Sequence, residues 1–92
     1  MTFSTREFLV RAELDEATLH IWVSEGWLIP APGDEACYRE SDLARAQLIR
    51  DLTNDLGVNA EGVGVILHLI DQMHGLRGAL AEYVRVRAKD RG

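Results

Sequence analysis

The last third of the chain limits its fold most. No proline follows Asn59, and Val63, Ile66, Ile70, Met73, Arg77, Leu80 and Val84 recur at alternating steps of three and four residues. That spacing predicts one long helix, capped by Asn59 and about 25 to 30 residues in length, or on the order of 40 Å at the standard rise. A chain of 92 residues makes one domain, too small to cover such a rod. Part of the helix must therefore project or pair. Ile66, Ile70, Met73, Leu80 and Val84, interrupted only by Arg77, predict a seam through which two copies form a homodimer. Gly62, Gly64, Gly75 and Gly78 each weaken a helix by about 1 kcal/mol relative to alanine. They either allow a close helix crossing or mark a break near residues 74–78, and both readings stay open. The basic tail RVRAKDRG is expected to fray.

Ahead of this helix, residues 1–57 divide into shorter pieces of the same single domain, with the long helix occupying 58–92. Ser4 and Glu7 have the spacing of a capping box, opening a helix over about residues 5–12 with apolar Phe8, Leu9 and Ala12. Asp15 then caps a second short helix carrying Leu19, Trp22 and Val23, which Gly26 ends. Two short helices joined by a turn are the pattern of a helix-turn-helix, though a generic helical hairpin looks similar. WLIP stops at Pro30, APGDEA is turn-rich, and CYR supplies a return strand, so a small two-stranded wing is expected. Ser41 is expected to cap a third helix reaching about Leu56, closed by Gly57. The fold class is mainly helical: a winged helix-turn-helix with a long C-terminal helix.

Charge narrows the function. Residues 1–57 hold five arginines against eleven acids, a net of −6, whereas residues 58–92 hold five bases against four acids, a net of +1. A helix-turn-helix that reads DNA needs Lys and Arg on its second helix and wing to neutralise phosphate and reach bases. Asp15 to Gly26 has neither, and Trp27 to Tyr38 adds Asp34 and Glu35 without a base. That surface repels a phosphate backbone.

Other chemistries lack their residues. Cys37 is the single cysteine, which rules out an internal disulfide and leaves a thiol in acidic surroundings. No pair among His20, His68 and His74 has i,i+4 spacing, and no nucleophile or phosphate loop accompanies them, so neither a metal, a cofactor nor a catalytic centre is expected. Without a long apolar run or a basic segment leading into one, the chain is expected in the cytoplasm, with no membrane contact.

The string YRESDLARAQLIRDLTNDLGVNAEGVGVILHLIDQMHGLRGAL, from Tyr38 to Leu80, resembles the chaperone modulator CbpM family, most specifically in DLGVNAEGV and the helix after it. LHIWVSEGWLIP resembles the helix, glycine and wing of the MerR-like helix-turn-helix. The resemblance implies a MerR-like fold and a partner, the J-domain of a DnaJ-like co-chaperone of CbpA type, whose work with DnaK would be restrained. J-domains present a basic helix, so an acidic surface is the expected counterpart. The candidates are Asp51 and Asp55, four apart on the third helix, with Glu61 and Asp71 on the fourth. Solvated acidic helix faces are common, and that alternative stands beside the functional one. Trp22 and Trp27 have the chemistry of interface anchors, but in so small a protein they are expected in the core. The competing reading is a DNA-binding transcription regulator of MerR type.

Overall fold

The computed structural model describes residues 1–33 and 35–91, without the side chains of Asp90 and Arg91. Asp34, part of the acidic count in the wing, lies outside the described residues, as does the terminal glycine of the tail. In chain order the elements are β1 (Thr2–Ser4), α1 (Thr5–Ala12), α2 (Glu16–Ser24), β2 (Cys37–Arg39), α3 (Glu40–Arg50), a π-helical turn (Asp51–Asp55) and α4 (Ala60–Arg91).

The first two helices form where their caps predict. Ser4 Oγ accepts from the Glu7 amide, and a Glu7 carboxylate oxygen accepts from the Ser4 amide, both at 3.2 Å. Asp15 Oδ1 accepts from the Thr18 amide at 2.7 Å. Hydrogen bonding from Thr18 holds the Asp15 carboxyl below the usual carboxylate range. Gly26, at φ 77°, turns the chain so that the Trp27 amide returns to the Trp22 carbonyl at 2.9 Å.

The wing differs from expectation in its pairing. WLIP forms no strand; the hairpin shrinks to a bridge between Ala31 and Cys37. The two-stranded antiparallel sheet instead joins β2 to the N-terminal β1, with Phe3 opposite Tyr38. The exchange has a packing reason. Trp27 and Leu28 are buried at 8% and 1% exposure, so consecutive residues point inward and a strand's alternation is lost. Phe3, at 3% exposure, brings an apolar side chain to β2.

The third helix also departs at both ends. Ser41 lies inside α3 and is not its cap; the N-cap is Arg39, whose amide donates to Asp42 Oδ2 at 2.8 Å. The buried acid thus draws the helix start towards the strand. At the far end the α-helix stops at Arg50, because Thr53 Oγ1 bonds the carbonyls of Ile49 and Arg50 and the Leu56 amide reaches back five residues to Asp51. Gly57, at φ 66°, then reverses the chain.

One core holds these pieces together. Phe8, Ile49 and Val63 are fully buried, the Phe8 and Tyr38 rings stack at 4.2 Å, and Trp22 and Trp27 lie 6.4 Å apart within the same cluster. Both tryptophans are core residues. Asn59 Oδ1 caps α4 by accepting from the Gly62 amide at 2.8 Å. The helix runs unbroken through Gly75 and Gly78, and it continues to Arg91 where fraying was expected. Its length gives a radius of gyration of 16.4 Å, against about 12 Å for a compact chain of this size.

Candidate protein-binding surface

The four candidate acids separate into a corner and an outlier. Residues 51–61, DLTNDLGVNAE, contain Asp51, Asp55 and Glu61 and no base. The π turn packs against α4 with only residues 56–59 between them, so the three acids sit on two adjoining elements that meet at a corner of the chain. Asp51 is half-buried and accepts from Gln47 Nε2 at 2.8 Å, whereas Asp55 and Glu61 are exposed. Asp71 stands ten residues beyond Glu61, about 15 Å along the helix. It is held by Arg45, whose Nη1 and Nη2 donate to its two oxygens at 2.6 and 3.1 Å. Hydrogen bonding from Arg45 draws the Asp71 carboxyl below its ordinary range, against a small opposing effect of burial.

The bases near this corner face elsewhere. Arg50 Nη1 donates to the Ala12 carbonyl and to Glu13 at the end of α1, at 3.2 and 3.1 Å. Arg45 also donates to the Trp27 carbonyl. The corner consequently keeps its negative potential, which steers a basic partner and repels phosphate.

Within this segment lies a residue that the spacing hid. Leu56 resembles the last apolar position of the third helix, yet the π turn rotates it outward to 71% exposure between Asp55 and Gly57. An exposed leucine in an acidic segment supplies the apolar anchor that a charged surface otherwise lacks. Its signal was present: a leucine directly before a left-handed glycine sits where a helix is already ending.

The surface of α2 shows the complementary deficit. Glu16, Ala17, His20, Ile21, Ser24 and Glu25 face solvent, without lysine or arginine. On α4 the proposed seam divides. Ile66 and Ile70 are partly buried on the body, while Met73, Leu80 and Val84 are 52%, 60% and 57% exposed. Leu69, Leu76 and Tyr83 join these exposed residues. At about 100° per residue, Leu69, Met73, Leu76, Leu80 and Tyr83 fall within one stripe roughly 80° wide. No helix among the described residues is long and apolar enough to cross a membrane.

Residues 3–83 match the family described as MerR HTH family regulatory protein, and no curated protein matches the chain. The match takes in both short helices, the sheet, α3 and most of α4. The chain belongs to the MerR helix-turn-helix family of regulatory proteins.

Proposed function

We propose that this MerR-family domain acts as a chaperone modulator, binding the J-domain of a DnaJ-like co-chaperone and restraining its work with DnaK. The observation that carries this reading is the segment 51–61, which holds three acids and the exposed Leu56 with no base among them. A basic J-domain helix is drawn to such a surface, and DnaK would compete for the same helix. The resemblance of residues 38–80 to CbpM proteins supports the same partner. Asp71 is a poorer contact candidate than Asp51, Asp55 and Glu61, because Arg45 already occupies both of its oxygens.

The second reading, a DNA-binding regulator, draws on the helix-turn-helix architecture and the family match. It is opposed by an α2 surface with no base to meet phosphate. The proposal includes a homodimer through α4, supported by the exposed stripe from Leu69 to Tyr83.

Calorimetric titration with an isolated J-domain, with duplex DNA as control, tests the partner. Saturable J-domain binding and no response to DNA is the expected result; the reverse would replace the modulator with a regulator. Within a binding pair, Asp51→Lys with Asp55→Lys should slow association about tenfold or more while helix content stays constant. Unchanged association would remove the corner from the interface.

A further inference from the structure

Trp27 is linked to α4 in two places, once directly and once through Arg45 of α3. Its indole lies against Gly64, where an added Cβ would stand 3.7 Å from Nε1. Its carbonyl accepts from Arg45 Nε, and the same guanidinium holds both oxygens of Asp71. Gly64 and Asp71 are seven residues apart, so they lie on one face of the helix, two turns and about 10 Å from each other. A rod fixed at two separated points has a fixed direction. Every residue from Gln72 to Lys89 is exposed, so among the described residues Asp71 is the last at which a side-chain hydrogen bond ties α4 to the body.

We infer that Arg45 is a positioning residue that couples the Trp27–Ala31 segment to the direction in which the free arm of α4 leaves the body. Trp27 begins the segment ending at the Ala31–Cys37 bridge, and Ile29, 72% exposed, stands beside the same groove as Arg45, Ile70 and His74. Displacing this segment pulls on the carbonyl that orients Arg45, and losing Asp71 frees Arg45 to leave that carbonyl. The two ends therefore move together. In a dimer built through the arm, this tie sets how the two bodies face one another. The inference rests on the fold and not on the identity of the partner.

Two measurements on the full chain test it with Asp71→Ala, a change at an exposed position that should leave circular dichroism unaltered. The first is amide exchange. Leu28 and Ala31, whose amides bond Trp22 and Cys37, should exchange roughly threefold faster or more although the substitution is on α4. The second is the spin-label distance between Glu25→Cys and Arg85→Cys in a Cys37→Ala background, diluted with unlabelled protein so that only distances within one chain are read. The distribution should be narrow with Asp71 present and broaden about twofold without it. In the unlabelled chain Glu82→Ala, which breaks only the Glu82–Arg85 pair within the arm, should leave the exchange of Leu28 and Ala31 unchanged. Acceleration confined to α4 amides, or an unaltered distance distribution, would overturn the coupling.

Discussion

The two halves of α4 share one backbone geometry and almost nothing else. From Ala60 to Asp71 the helix buries Val63 and Leu67 at 0% and 2% exposure, faces Trp27 with Gly64 and pairs Asp71 with Arg45. Beyond Asp71 the described side chains are exposed, and the apolar ones gather about 140° round the helix from Val63 and Leu67. Continuity of the helix comes from local features: the Asn59 cap and the absence of proline. Its stability does not. An unsupported helix of about 20 residues containing two glycines is marginal in water, so the distal half gains most from a covering partner. A helix can thus be specified by its sequence along its whole length and be held by its own domain along only half of it.

The sharpest break of this comparison is truncation of a side chain in each half. Leu67→Ala removes a buried leucine and should lower unfolding free energy by about 2 to 4 kcal/mol in urea titration. Leu80→Ala at the same dilute protein concentration should change it by less than about 0.5 kcal/mol, since that residue is 60% exposed. Equal losses would mean that the distal half folds back onto the body.

Placing a charge on the exposed stripe examines the other half. Leu76→Asp and Leu80→Asp should weaken self-association at least about tenfold in sedimentation equilibrium, roughly 1.4 kcal/mol, with little change in helix content at high concentration. A wild-type chain that stays monomeric throughout would leave the stripe for a different partner.

Gly75 and Gly78 sharpen the point by about 1 kcal/mol each. An added Cβ at either meets nothing within 4 Å, and both residues lie off the apolar stripe. Alanine should therefore raise the thermal stability of the arm by its higher helix propensity, with self-association intact. If association weakens instead, two helices cross at these glycines.

What could be read beforehand follows the range of the forces involved. The capping box of Ser4 and Glu7, the Asp15 cap and the Gly26 turn involve neighbours within a few residues, and each formed as expected. β1 did not announce itself, because three residues acquire strand character only by pairing with Cys37–Arg39, far along the chain. A hint existed in Phe3 and Phe8, which occupy the two positions of a hydrophobic staple around the Ser4 cap. The π turn was hidden for a different reason: Thr53 chooses between solvent and the carbonyls behind it, and no periodicity records that choice. It rotated Leu56 outward and so concealed the apolar member of the candidate surface. The acids at 51, 55 and 61 were legible by type, but the engagement of Asp71 depended on Arg45 arriving from another helix.

The smallest expected effect concerns pH and falls at the boundary between the two halves. Hydrogen bonding from Arg45 lowers the Asp71 carboxyl below its ordinary value, with the nearby His74 and His68 acting in the same direction and burial opposing them. A carboxyl depressed in the folded state contributes its stabilisation fully above its unfolded value, about 3.9, and loses it as pH falls through the lower folded value. The attachment of α4 should therefore be unaffected by this group between pH 7 and about 5, weakening only in stronger acid. The Arg45 Nε–H resonance offers a direct reading, because its hydrogen bond to Trp27 should loosen when Asp71 takes up a proton. Loss of that signal already near pH 6 would take control of the joint away from Asp71, whereas loss only in stronger acid would place the boundary between the held and free parts of the helix on the carboxylate itself.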